Sequence, residues 1–219
     1  MRKHLKYGAI AGAVAAPAAA AVAIMPTASA TGGGRPSSAF GIYAAGLVNI
    51  PQTPAVSSAH GPGTRSLVSV PGNPLVHLSV IRTRAVPGHA DASVVDLKVA
   101  KAAISPKAVL SAKLISARCD DGAGSSRLVN VRLAGRAIQA GMSPNSRLTV
   151  PVEGLGGVQV TVNKQVHNPD GSLTVTALEL AVQALGKSQT IAISSATCAG
   201  SSGEAPRPTP VPSDLPVTG

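Results

Sequence analysis

The sequence predicts an all-β fold: a single antiparallel β-sandwich-like domain, with a short β-solenoid as the alternative. Three observations carry this reading. Between residues 38 and 199 apolar side chains recur with period two. Pro, Gly, Asn and Asp clusters punctuate the runs roughly every ten residues, as short strands require. No helix-period stretch carries capping residues at both ends.

The chain opens on an address rather than on the fold. Arg2, Lys3, His4 and Lys6 form a basic start, an apolar run extends from Ala9 to Met25, and Ala28-Ser29-Ala30 follows. This is the layout of a secretory signal peptide over residues 1–30, cut by signal peptidase between Ala30 and Thr31. A permanent anchor is the competing reading, but a mostly Ala run broken by Pro17 is too short and too weakly apolar to span a bilayer. Beyond it there is no comparably long apolar stretch, so the mature chain is expected to carry no membrane span. The Gly-rich residues 31–37 read as a flexible linker.

The β-rich surface domain, residues 38–199, follows. Val95, Leu97 and Val99 alternate with Asp96 and Lys98; Val129, Val131 and Leu133 with Asn130 and Arg132; Val158, Val160 and Val162 with Gln159, Thr161 and Asn163. Each run reads as a half-buried strand with one apolar face. Turn signals fall at 71–74, 87–89, 143–145 and 168–171, the last an Asn-Pro-Asp-Gly that reads as a hairpin. Lys98 to Leu114 is ambiguous between helix and strand, and Ser105-Pro106 argues against one continuous helix. Residues 95–104 resemble residues 129–138, which suggests either a duplicated strand–turn–strand unit or chance in a chain rich in Ala and Val.

Cys119 and Cys198 are the only cysteines. Export places them in a compartment that permits disulfides, and their separation lacks metal-ligand spacing, so a structural bridge is expected. It would staple the last strand to the middle of the domain.

Residues 200–214 turn to Pro and Ser and read as an extended, semi-rigid stalk. Leu215-Pro216-Val217-Thr218-Gly219 then resembles the LPxTG signal by which sortases join proteins to Gram-positive peptidoglycan. The resemblance implies that the sortase thiolate attacks the Thr218 carbonyl and that Thr218 is passed to a peptidoglycan amine. The apolar segment and basic tail of such signals would lie beyond Gly219. Two alternatives stay open: a signal that continues past Gly219, or a released protein.

The domain itself resembles the choice-of-anchor P family of exported bacterial surface proteins. The likeness rests on Phe40-Gly-Ile-Tyr-Ala-Ala-Gly-Leu-Val48, Ser116-Ala-Arg-Cys-Asp-Asp-Gly122, Pro144-Asn145, Val162-Asn-Lys-Gln165, Val175-Thr-Ala-Leu178 and Ala196-Thr-Cys198. It covers residues 38–199. The family often carries Glu where Lys164 stands. The resemblance implies surface location, paired cysteines and no established activity.

Chemistry-bearing residues are sparse. His60, His77, His89 and His167 are isolated from one another, with no metal-binding spacing, and no metal or other cofactor is expected. Asp120-Asp121-Gly122 reads as a turn rather than a Ca²⁺ loop. Gly124-Ser125-Ser126 reads as a loop rather than a nucleophile elbow. Asn163 and Gln165 flank Lys164 and are expected to fix a strand end by side-chain hydrogen bonds. Tyr7, Phe40 and Tyr43 are the only aromatics; the two past the leader are expected in the core, which disfavours a stacking platform for sugars or nucleic acid.

The formal net charge is +10; removal of Arg2, Lys3 and Lys6 with the leader leaves +7. Such a surplus favours anionic wall polymers. The expectation is a non-catalytic surface protein, secreted or wall-associated. The alternative is a secreted hydrolase assembled from a histidine with Asp91, Asp120, Asp121 or Glu153, and a histidine in a cleft beside these carboxylates would distinguish it. Protein released from detergent-boiled walls by a muramidase should begin at Thr31 and end at Thr218 by mass spectrometry. Retention of residues 1–30, or exclusive recovery from the medium ending at Gly219, would defeat the corresponding half of this reading.

Overall fold

The computed structural model describes residues 35–70, 76–100, 108–139, 143–154, 156–184 and 187–199. The leader, the turn signal at 71–74, the stalk and the terminal motif lie outside these residues.

Period-two patterning becomes extended backbone throughout, in fourteen strands among the described residues. They are β1 (Ser38–Ala45), β2 (Ile50–Ser57), β3 (Gly63–Leu67), β4 (Val76–His77), β5 (Val80–Val86), β6 (His89–Ala100) and β7 (Ala108–Asp120). The remainder are β8 (Ala123–Val129), β9 (Val131–Leu133), β10 (Arg136–Ile138), β11 (Ser146–Val152), β12 (Gly156–His167), β13 (Ser172–Ala184) and β14 (Lys187–Ala199). One sheet runs β11-β12-β13-β14-β1-β2; the other runs β10-β9-β7-β6-β5-β3, with β4 beside β6 and β8 beside β7. Every pairing is antiparallel. The sandwich is therefore the architecture, and the solenoid alternative, which needs stacked parallel coils, is excluded. Lys98 to Ala100 close β6 and residues 108–114 open β7, so both described ends of the ambiguous segment are strand.

The edges of the six-stranded sheet are protected by proline: Pro51 and Pro54 in β2, Pro151 in β11. Proline cannot donate to a further strand, which blunts an open edge. The hairpin signals perform as read. Asp121 and Gly122 adopt φ 45° and 81° between Asp120 and Ala123, the left-handed pair that a two-residue turn of matching twist requires. At 168–171 the Gly171 N–H donates to the Asn168 carbonyl (2.9 Å) and Asp170 Oδ1 accepts from the Ser172 N–H (2.9 Å).

Both inner faces contribute to one buried aliphatic core, including Ile81, Val94, Leu97 and Ile115 from one sheet and Val160, Leu178, Ile193 and Ala196 from the other. Two sequence expectations fail here. Phe40 and Tyr43 are not core: both are half-buried, and register with Ser195 and Ala192 puts them on the outer face of the six-stranded sheet. They meet edge-on, with ring planes at 66°. Val95 and Val129 are not on the buried face either. Val94 and Leu128 are buried, and burial then resumes at Leu97 and Val131.

The cause is a row at which strands change face. In the eight-stranded sheet Val95 pairs with Leu114 and Leu97 with Ala112, so Asp96 stands opposite Lys113. Leu114 pairs with Val129 and Ser111 with Arg132, which sets Asn130 on the same row. Asp96 and Asn130 have φ 52° and 50°, a conformation that Asp and Asn tolerate better than other side-chain-bearing residues. A matching row crosses the six-stranded sheet through Asn163, Ala177, Ser194 and Gly41. Asn163 and Ser194 take φ 52° and 55° there. Burial accordingly moves from Val162 to the partly buried Gln165 in β12, and from Ile193 to Ser194, Ala196 and Cys198 in β14. The Ser194 hydroxyl donates across the sandwich to the Ile115 carbonyl at 2.8 Å. Gly41 lies in the same row because a Cβ there would meet the Ile81 side chain and sit 2.9 Å from the Thr53 carbonyl.

The 95–104 and 129–138 resemblance gains a structural counterpart. Asp96, in β6, and Asn130, between β8 and β9, occupy equivalent positions on either side of β7 in the same unusual conformation.

Cys119 and Cys198 are bonded, with Cα atoms 5.6 Å apart and both side chains fully buried. The bridge joins β7 of one sheet to β14 of the other. The chain-entropy model assigns a loop of this size about 4.5 kcal/mol. The Cys119→Ser/Cys198→Ser variant should therefore lose about 3–5 kcal/mol in denaturant unfolding. A loss below 1 kcal/mol would show that packing alone holds the two sheets.

Candidate functional site

Charge is concentrated on the outer face of the eight-stranded sheet, in the half that carries the disulfide. Strand register places Arg84 of β5, Asp91 of β6, Arg118 of β7 and Ser125 of β8 in one row, with Thr64 of β3 at its end. The next row holds Ser66, Arg82, Ser93, Ser116 and Arg127. Alternation keeps Ala85, Ala90, Ala92, Ala117 and Leu128 beneath them in the core, so the four guanidinium groups stand on the outer face among short hydroxyls and the Asp91, His89 and Asp120 side chains. Arg82, Arg84, Arg118 and Arg127 are all exposed. With strands about 4.8 Å apart, Arg84 and Arg118 are separated by roughly 10 Å.

The acids on this face are engaged. The His89 ring lies between two carboxylates, Nε2 at 3.2 Å from Asp91 Oδ1 and Nδ1 at 3.3 Å from Asp120 Oδ1. Arg118 Nη2 donates to Asp120 Oδ2 at 3.0 Å. Arg118, and then His89, hold the Asp120 carboxyl below the usual Asp range. Among the described residues Arg82, Arg84 and Arg127 form no ion pair. Their forked donors suit bidentate recognition of phosphate or carboxylate oxygens.

Two further ion pairs among the described residues form elsewhere. Lys113 Nζ donates to Asp96 at 2.8 Å and the Ser79 hydroxyl to the same carboxyl at 3.0 Å; both interactions, Lys113 first, lower the Asp96 pKa. Lys164 Nζ reaches both Glu179 oxygens, at 2.8 and 2.7 Å. Asn163 and Gln165 are bonded to each other within β12, and Gln165 alone also reaches across to the other sheet: its Nε2 donates to Asn163 Oδ1 (3.1 Å) and to the Gly124 carbonyl (3.0 Å) near the start of β8. Asn145 Oδ1 accepts from the Gln165 N–H at 2.9 Å.

Of the four histidines past the leader, His60, His77 and His167 are exposed and carry no ion pair among the described residues. His89 alone meets carboxylates. Each of its ring nitrogens faces one, so neither is directed at a hydroxyl or thiol that it could activate. Gly124 and Ser126 face inward and Ser125 outward on β8, a strand in place of the expected loop. No group of three metal-ligating side chains forms among the described residues. Phe40 and Tyr43, edge to face, present no shared stacking plane.

The candidate site that sequence reading missed is the arginine face. Its signal was present as Arg82, Arg84, Arg118 and Arg127 at outward positions, but only the β5-β6-β7-β8 order brings them together. Cys119 and Cys198 are where sequence reading put them in function, as a bridge. Ala30, Thr31, Leu215, Pro216, Val217, Thr218 and Gly219 lie outside the described residues. No protein-family model, curated protein or solved structure matches the chain.

The Asp120 shift has a pH consequence. A depressed carboxylate adds stability above the ordinary Asp range, near pH 3.9, and loses it as pH falls through the lower folded value. Asp96 and Asp170 are lowered too and act in the same direction. NMR titration should give Asp120 a midpoint below free Asp, and Arg118→Ala should raise it. An unchanged midpoint in that variant would remove Arg118 as the cause.

Proposed function

We propose that this chain is a non-catalytic, exported protein of the cell envelope, and that its arginine face docks on anionic wall polymers. The observation that carries this reading is the set of exposed arginines 82, 84 and 127, without ion-pair partners among the described residues, beside Arg118 on a hydroxyl-rich surface. A flat strand face with guanidinium groups at intervals suits a repeating polyanion better than a single small anion, because no cleft encloses any one of them.

The position of the chain ends supports the same reading. Ser38 pairs with Thr197, and Ala199 is the last described residue, so the domain joins its preceding and following segments at the disulfide end. The arginine face lies in that half. A stalk over residues 200–214, joined to peptidoglycan by sortase through Thr218, would hold this half toward the wall. If the protein is released instead, the same face still offers electrostatic retention.

The test compares where charge is removed. Arg82→Gln/Arg84→Gln/Arg127→Gln should weaken binding to long-chain polyphosphate and to isolated walls about tenfold, as expected for three screened contacts of roughly 0.5 kcal/mol each. The control Lys98→Gln/Arg136→Gln/Arg147→Gln removes the same charge from outside the face and should bind nearly as wild type. Equal losses in both would reduce the effect to bulk net charge. Wild-type binding that ignores salt would contradict electrostatic docking, since exposed charges are screened over about 8 Å at physiological ionic strength.

A further inference from the structure

At the end opposite the disulfide the two sheets enclose a cavity of about 280 Å³. Its walls include Ile42, Leu97, Leu110, Leu180, Ile191 and Ile193, drawn from both inner faces beyond the rows where the strands change face. We propose that this cavity binds the aliphatic chain of a soluble single-chain amphiphile, such as a fatty acid. The inference is independent of the arginine face.

Three features select that chemistry. First, the described side chains lining the cavity carry no charge, and among them only Gln189 is polar. Its amide is fully used within the protein: Oε1 accepts from the Val48 N–H at 2.7 Å, and Nε2 donates to the Val48 and Thr190 carbonyls at 3.1 Å each. A polar group placed inside would find no free partner among the described lining side chains, which is unfavourable in an apolar interior. Second, the space lies between stacked sheets, whose backbones are about 10 Å apart, so it admits a thin chain along the strand direction more readily than a thick ring system. Third, the apolar lining continues to the surface. Leu47 and Val48 line the cavity and are 45% and 41% exposed, whereas the core side chains below are nearly inaccessible. Gln189 pins Val48 at this rim. An entering chain therefore meets apolar surface from solvent to interior, while its polar end stays in water.

The volume is far larger than the roughly 10–15 Å³ that a single water needs, and the described lining lacks the two to four polar partners that would hold ordered water. Apolar filling is what remains.

The test is a titration of the purified protein, labelled at Ile, Leu and Val methyl groups, with decanoate below its micelle-forming concentration. Expected are saturable one-site shifts at Leu97, Leu110, Leu180, Ile191 and Ile193, with Leu173 and Val175 in the other half unmoved. Decanol should compete and butyrate should not, because the chain is what is recognised. Ala44→Phe and Val182→Phe each project bulk into the cavity; in whichever variant keeps its cooperative unfolding, affinity should fall at least tenfold. Four results would overturn the proposal. These are no saturable shift in the wild type, shifts that persist in a folded filling variant, contacts from Ile104 or Leu185 to these methyl groups in the free protein, and stable association with phospholipid vesicles without decanoate binding. The third would mean that the chain fills its own cavity, and the fourth that a membrane surface is the partner.

Discussion

The rows at which strands change face are the constraint on which the rest of the molecule depends. A strand that crosses such a row buries one alternating set of residues before it and the other set after it. Because partners cross together, pairing continues in register: Val162 with Leu178 and Lys164 with Thr176, or Leu178 with Ile193 and Thr176 with Ser195. The left-handed backbone that the turn of face requires disfavours most side chains by about 1–2 kcal/mol. Asp96, Asn130 and Asn163 tolerate it well. Ser194 tolerates it less, and there the hydroxyl supplies a buried hydrogen bond to the Ile115 carbonyl, which ties one sheet to the other at the level of the two rows.

The rows divide the interior into two unlike halves. On the disulfide side many facing side chains are small: Ala85, Ala90, Ala92, Ala117 and Ala196 are buried beside Ile81, Val94 and Ile115, and Gly124 leaves room for Val175, Leu173 and Gln165. Small facing residues bury little apolar area each, and this half adds two specific cross-sheet links, the Cys119–Cys198 bond and the Gln165–Gly124 hydrogen bond. On the other side Leu97, Leu110, Leu133, Leu180 and Ile193 supply larger aliphatic surfaces without any cross-sheet covalent bond. No aromatic side chain is available among the described core residues to fill what they leave. The cavity follows from that composition, and its position away from the chain ends follows from the disulfide being at them.

Much of the fold was legible because antiparallel strands record their burial locally. The hairpins at Asp121-Gly122 and at 168–171 needed only turn chemistry, and Val158, Val160 and Val162 are buried as their alternation indicates. Val95 and Val129 were misread because a period-two count assumes that one face persists along a strand. Nothing in Val-Asp-Leu-Lys-Val announces that the backbone turns over at the Asp. The resemblance between 95–104 and 129–138 was the available hint, since it aligns Asp96 with Asn130. Phe40 and Tyr43 were misplaced for the same reason: Gly41 and Ile42 are adjacent and both buried, which leaves the aromatics on the outer side. The arginine face was illegible for a different reason. Its members are spread over forty-six positions, from Arg82 to Arg127, and lateral strand order is a property of topology that no local spacing contains.

Net charge alone would suggest a diffusely basic surface, but pairing makes it uneven. Asp96 is committed to Lys113, Glu179 to Lys164, Asp120 to Arg118 and His89, and Asp91 to His89. Two of these commitments remove a lysine from the surplus, whereas on the arginine face one histidine engages two acids at once. Asp91 stands in the same row as Arg84 yet bonds to His89, so Arg84 keeps its charge unneutralised by a direct pair. His89 therefore matters here as the group that occupies Asp91, while Asp120 is shared between His89 and Arg118. The polyanion-facing character of this surface thus follows from how its acids are occupied as much as from how many arginines it has.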